Sequence, residues 1–225
     1  EGKYRSIEER RVFEDLTAVL YPDDSNARGR LIRLAQEYFF VSAGIQSIIR
    51  YFKKLNHPWH VLSEKVAIHI NDTHPALCIP ELMRILMDEY EVSWEQAWDL
   101  TSKVMSYTNH TIMAEALEKW PTYLMKRSLP RMYQIIKEID RRYVVSMSGI
   151  HDAALIERTR IIQGEEIHMA NLAIIGSHST NGVAKLHSDL LKAVVLHDFY
   201  TIYPERFNNK TNGIVPTVGF EKMQI

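Results

Sequence analysis

The stretch Val66-Ala67-Ile68-His69-Ile70-Asn71-Asp72-Thr73-His74-Pro75 decides how this chain reads. Its first five residues are β-prone and mostly apolar, and polar residues follow at once, so the pattern predicts a buried strand feeding a turn and then a helix. Pro75 suits the first turn of that helix, with Asp72 or Thr73 as its cap. A strand ending in Asn-Asp-Thr-His also puts hydrogen-bonding side chains at the carboxyl edge of a sheet, where α/β proteins usually hold a ligand. Both readings of the stretch, cap and site, are open at this point.

Upstream, Val12, Phe13, Leu16, Val19 and Leu20 recur at helical steps, predicting a helix over Ile7 to Leu20 that stops at the polar loop Tyr21 to Asn26. Gly29 to Lys54 carries the same period through Leu31, Leu34, Tyr38, Ile45, Ile48, Ile49 and Phe52. Downstream, Ser93 and Gln96 form a capping box for a helix reaching about Tyr107, followed by a turn through Thr111. Pro121 opens another helix, broken at Pro130 and continued by Tyr133, Ile136, Ile139 and Tyr143. Met169 onward reads as buried helix rather than strand, Leu186 to Val195 as helix, and Phe207 to Val215 as a short extended segment. The fold class is therefore α/β, predominantly helical with a few buried strands, with no internal repeat.

The chain has 225 residues, 46% of them hydrophobic, enough for a sizeable core. Its 27 basic and 28 acidic residues are evenly mixed and leave a formal charge of −1, which argues against nucleic acid and against a polybasic membrane surface as partners. A single cysteine, Cys78, forms no internal disulfide, and no apolar run approaches the roughly 20 residues of a membrane helix, so the expected compartment is the reducing cytoplasm. The chain opens on polar residues without an initiator methionine or a secretory signal, and the expectation is that it begins inside something larger.

Four polar clusters stand at the ends of predicted elements: Tyr21 to Asn26, Asn71 to His74, Tyr107 to Glu115 and Asn208 to Asn212. The histidines His69, His74, His110, His178 and His187 lack metal-ligand spacing, and His69, His178 and His187 read as satisfied structural residues. Gly176 to Gly182 offers backbone and hydroxyl donors that could cradle an anion, but matches no phosphate-binding fingerprint. Asn, Asp, His, Tyr and Arg side chains without a metal or an evident nucleophile suit a carbohydrate, whose hydroxyls donate and accept and whose ring stacks on aromatic faces.

The residues from Val66 to Leu77 resemble the matching segment of the glycogen (α-1,4-glucan) phosphorylases. Tyr107-Thr108-Asn109-His110-Thr111, Glu115-Ala116-Leu117-Glu118-Lys119-Trp120-Pro121, Gly176 to His187 and Asn209-Lys210-Thr211-Asn212-Gly213-Ile214 are similar to the family in the same order. The resemblance implies a fold in which residues 1–214 form part of the amino-terminal domain of a two-domain GT-B-type glycosyltransferase. It implies cleavage of terminal α-1,4-glucosyl units by inorganic phosphate, with pyridoxal 5'-phosphate as cofactor and glucose 1-phosphate as product. By the same resemblance His110 is the catalytic-site residue beside the glucosyl unit, acting through its dipoles rather than by proton transfer. Asn212 bonds the 6-hydroxyl, Asp24 and Ser25 lie in a gate loop, and Tyr21, Arg33, Asp72, His74 and Glu115 line the acceptor-glucan side.

The family's cofactor lysine and substrate-phosphate residues have no counterpart here, so the resemblance implies a fragment, inactive in isolation, that meets phosphate only through a missing domain. Homodimerisation or self-association is expected from the family's dimer contact and from apolar surface left uncovered. The alternative is a non-catalytic glucan-binding or interaction module. Residues 215–225 depart from the family pattern; the codons CCC ACC GTC GGT for Pro216 to Gly219, read in a shifted frame, contain His-Arg-Arg, so the tail is expected to be frameshifted or truncated.

Overall fold

The computed structural model describes Glu14 and residues 16–20 and 22–213. Residues 16–18 are helical, while most of the helix predicted over Ile7 to Leu20, together with Tyr21 and the 215–225 tail, lies outside the described residues. Helix α1 (Ala27–Lys54) starts where Asn26 Oδ1 accepts from the Gly29 amide at 2.9 Å. It buries the stripe Leu34, Val41, Ile45, Ile49 and Phe52, and Lys53 and Lys54 complement the carboxyl end of its dipole. After the single turn α2 (Leu62–Lys65) comes strand β1 (Ile68–Asn71), within the Val66–Pro75 stretch.

The helix that follows does not begin at Pro75. Residues 74–77 form turns, and α3 (Cys78–Arg84) begins after Leu77 with no side-chain cap, running into a π-helical turn at Ile85–Glu89. Asp72 has a φ of 66°, and its Oδ1 accepts from the Thr73 amide at 2.5 Å, so its side chain closes the strand-to-turn corner instead of capping a helix. Every residue of α3 from Cys78 to Met83 is buried, and α3 packs on α1, on α4 (Trp94–Val104) and on α6 (Pro130–Met147). A helix buried on every side sits at the centre of the core, and its one buried charge, Glu81, is met by Arg84, Ser42 and Tyr38.

Ser93 caps α4 as its spacing predicts, its Oγ accepting from the Gln96 amide at 3.3 Å. The helix stops earlier than Tyr107, because Met105–Thr108 is strand β2, a β-prone run with a parallel neighbour on each side. Pro121 ends the short strand β3 (Lys119–Pro121) and precedes α5 (Thr122–Ser128); Leu129, held out of the helical region before Pro130 (φ −133°, ψ 63°), separates α5 from α6. Helix α7 (Ala153–Thr159) leads into β4 (Ile162–Gln163) and β5 (Glu166–His168), and α8 (Met169–Ile175) is the buried helix expected there. Strand β6 (Ser179–Gly182) occupies what read as an anion-cradling loop. Helices α9 (Lys185–Leu190) and α10 (His197–Ile202) lead to β7 (Phe207–Asn209).

The main sheet is parallel, in the order β1-β2-β6-β7, with helices in each crossover; β3, β5 and β4 form a small antiparallel sheet beside it. The register puts Ile68, Ile70, Met105, Tyr107, Thr180 and Phe207 on one face and His69, Asn71, Ser106, Thr108, Ser179, Asn181 and Asn208 on the other. The first face is core. The second is polar throughout, so the strand predicted as buried is buried on one face alone: Ile68 and Ile70 face the core while His69 and Asn71 are exposed. His178 is exposed too, whereas His187 is buried as a structural histidine should be.

Candidate functional site at the carboxyl edge of the parallel sheet

A directed hydrogen-bond chain knits the polar face. Thr108 Oγ1 donates to Asn181 Oδ1 at 2.9 Å and so spends its one proton, which makes His69 Nε2 the donor to Thr108 Oγ1. His69 Nδ1 then accepts from Ser106 Oγ at 3.1 Å, and Asn181 Nδ2 donates to the Gly182 carbonyl at 3.0 Å. Partial burial also lowers the His69 pKa, in keeping with the neutral tautomer this chain needs. The chain fixes the ends of β1, β2 and β6 relative to one another.

Three of the four polar clusters run on from carboxyl ends of this sheet: Asp72 to His74 follows β1, Asn109 to Glu115 follows β2, and Lys210 to Asn212 follows β7. His110 Nε2 donates to Asn71 Oδ1 at 2.6 Å, joining the first two clusters and leaving Nδ1 as the other ring position. His187 Nδ1 accepts from the Val183 amide at 3.1 Å, so its Nε2 donates to the Thr111 carbonyl at 3.3 Å. The Lys210 and Asn212 amides donate to the carbonyls of Gly182 and Val183, each at 3.1 Å. The Asn109 side chain is buried, donating to Tyr107 Oη at 3.0 Å and accepting from the Thr111 amide at 2.9 Å, which sets the backbone course through exposed His110.

The remaining cluster reaches the site through α1. Arg33 Nη1 donates to Asp24, Nη2 to Glu118 and Nε to Glu37 Oε1 at 3.1 Å, while its guanidinium carbon lies 5.3 Å from the Trp120 ring centre. Ser25 is turned away: its amide and hydroxyl both donate to Asp23, at 3.0 and 2.9 Å, and hold the Asp23 carboxyl below its usual range. The loop passes so close to α1 that a Cβ on Gly29 would lie 1.8 Å from the Asp23 carbonyl oxygen, so only glycine fits.

A cavity of about 260 Å³ collects Arg33, Asp72, Thr73, His74, Thr111, Leu117, Glu118 and Lys119. Of the residues expected on the acceptor side, Arg33, Asp72 and His74 therefore share one cavity. Glu115, in the single turn Ala114–Ala116, is exposed, and neither it nor His110, Asn212, Asp24 or Ser25 is on this cavity's wall. Glu37, Glu118 and Lys119 were missed as site residues because only the tertiary fold brings α1 and the approach to β3 together. The Glu118-Lys119-Trp120-Pro121 match, which runs through β3, is the signal the sequence offers. A second cavity of about 350 Å³, mostly apolar, lies between α1 and β1 and shares His74 with the first. Among the described residues no group of three or more His, Cys, Asp or Glu is placed to hold a metal ion.

The fold and site define an α/β protein with a polar, histidine- and carboxylate-lined crevice at the carboxyl edge of a parallel sheet. The family model for carbohydrate phosphorylases matches residues 1–218, and the chain belongs to that family. It is similar to the glycogen phosphorylase of Bacillus subtilis (strain 168), 51% identical over 207 residues, covering 91% of this chain and 26% of that protein. The potato (Solanum tuberosum) alpha-glucan phosphorylase, H isozyme, is 46% identical over 90% of this chain and 26% of its own length. The muscle form of glycogen phosphorylase from sheep (Ovis aries) is 44% identical over 96% of this chain and 27% of its own length. The chain thus spans about a quarter of the length of these relatives.

Proposed function

We propose that this chain supplies one wall of the glucan site of an α-glucan phosphorylase, an enzyme that transfers a terminal α-1,4-linked glucosyl unit to inorganic phosphate. In this reading residues 1–214 belong to the amino-terminal domain of a two-domain GT-B-type fold. His110 and Asn212 face the glucosyl unit, and Asp24, Ser25, Tyr21, Arg33, Asp72, His74 and Glu115 serve the gate and acceptor side. The observation that carries it is the convergence of the Asn71, His110 and Asn212 clusters at one sheet edge in a chain of the carbohydrate phosphorylase family. The ligand chemistry agrees: the edge offers amides, an imidazole and carboxylates, which suit a neutral polyhydroxylated ligand.

Pyridoxal phosphate would supply the acid–base phosphate of such a reaction. The residues described here do not fit it: no lysine among them is buried, and Lys119 on the cavity wall donates to Glu166 at 3.2 Å. The cofactor and substrate phosphate belong to other parts of the polypeptide in this reading, and the chain alone binds glucan without turning it over. Among the described residues no helix is long and apolar enough to cross a membrane. Self-association is supported by the exposed Phe39 and Phe40 of α1 and is read by light scattering.

Titration with maltopentaose, followed by amide NMR, tests the site. Shifts at Asn71 to His74 and Asn109 to Thr111 at millimolar sugar, weakened in His110→Ala, are expected. No shift at any of these amides refutes the glucan site. Glucose 1-phosphate formed by this chain from glycogen, phosphate and added pyridoxal phosphate would refute the assignment of turnover to other parts.

A further inference from the structure

The edge of Arg33 that carries Nε and Nη2 is laid against two carboxyl groups at once. Glu37 Oε1 takes Nε and Glu118 Oε1 takes Nη2, and Asp24 takes the remaining nitrogen, Nη1. The Glu37 and Glu118 side chains are 6% and 8% exposed, against 45% for Asp24. Each buried glutamate has one oxygen, Oε2, that is closed from solvent and has no hydrogen-bond partner. Two ionised carboxylates so placed would leave two orphaned anionic oxygens and an excess negative charge against a single guanidinium.

One proton removes both problems. We propose that the Glu37 and Glu118 carboxyl groups share a single proton between their Oε2 atoms and form a positioning site that holds Arg33, and through it the Asp24 loop, at the cavity wall. The shared proton gives each Oε2 a partner and reduces the pair to one negative charge, which Arg33 meets while a second nitrogen is still free to hold Asp24. Burial, reinforced by the neighbouring Glu118 and opposed by Arg33, pushes the Glu37 carboxyl up to about 9. Other ionisable groups border the pair: Asp72 and His74 after β1, Lys119 at the start of β3, and Cys78 on α3 across the apolar cavity, with the Tyr107 phenol on β2 near Glu118. Lys119 is turned to Glu166, and burial holds the Cys78 thiol and Tyr107 phenol neutral, while Arg33 is bonded to both carboxyls of the pair. The inference stands whether or not the cavity takes a glucan.

The sign of the effect is fixed. A carboxyl whose folded pKa is raised keeps its proton in the native state while the unfolded chain releases it above the ordinary glutamate range, so the contribution to stability falls as pH rises and is lost by about pH 9. Glutamine at residue 37 mimics the protonated partner and does not titrate. Urea unfolding between about pH 5 and 8 should therefore show the folding constant of the parent chain falling about tenfold per pH unit relative to Glu37→Gln. Carbon-13 NMR of side-chain carboxyls should show one glutamate titrating near pH 9 that is absent from Glu37→Gln and from Glu118→Gln and persists in Asp24→Asn. Equal pH slopes for the parent and Glu37→Gln, or no glutamate titrating above the ordinary range in the parent, overturns the proposal. Should Glu37→Gln fail to fold, the carboxyl spectrum of the parent decides the question alone.

Discussion

Asp140 on α6 is 2% exposed and holds the chain where α7 turns into β4. Its Oδ1 accepts from the amides of Ile161 at 2.7 Å and Ile162 at 3.1 Å, and its Oδ2 accepts from Arg160 Nη2 at 2.7 Å. Asp140→Ala strands both amides and removes the partner of Arg160. A buried hydrogen bond to a charged group contributes about 1.5–3 kcal/mol. The ion-pair share adds less than about 1 kcal/mol, because Arg160 is 31% exposed and solvent screens it. Non-additivity between neighbours brings the expected loss to about 3–5 kcal/mol. Asp140→Asn keeps an oxygen for the two amides and loses mainly the charge, about 1–2 kcal/mol. With a urea slope of about 3 kcal/mol/M for a chain this long, the midpoint should drop by about 1–1.7 M in Asp140→Ala and by about 0.5 M in Asp140→Asn. A drop below about 0.3 M in the alanine variant, or equal drops in both, would mean that the paired amides do not dominate.

Two further outcomes are expected. In Gly29→Ala the added Cβ meets the Asp23 carbonyl at 1.8 Å, so the Asp24 loop should swing off α1 and release Arg33 while the melting temperature changes little, since Asp24 and Ser25 are near the surface; a crystal structure with the Arg33–Asp24 contact intact would contradict this. Cys78 is 7% exposed, and burial together with the nearby Glu81 carboxylate pushes its thiol up to about 12, so a disulfide reagent at about pH 8 should leave it untouched in the native state and modify it fully in urea. Rapid native modification would show that α3 opens far more readily than its packing implies.

Much of the fold could be read from local signals. The period of Leu34, Ile45, Ile49 and Phe52, the cap at Ser93 and the break at Pro130 each act within a few residues, and each appears in the structure where the sequence puts it. Strands β2 and β6 were not legible in this way. Met-Ser-Tyr-Thr and Ser-Thr-Asn-Gly are strands because parallel neighbours pair with them, and that pairing is a property of chain segments dozens of residues apart. The same limit applied to Asp72 and to the supposed cap of α3: a positive φ at a strand end is set by where the strand must stop, which local propensity does not encode.

The sequence alone determined the class, the order of the motifs and the residue types at the sheet edge, because periodicity and motif spacing are one-dimensional properties. Tertiary structure alone decided which of those residues meet. It drew His110 to Asn71, turned Ser25 toward Asp23, and closed Glu37 and Glu118, on α1 and before β3, around one guanidinium. The charge state of those two carboxyls depends on burial and on each other's distance, and neither quantity exists until the chain has folded.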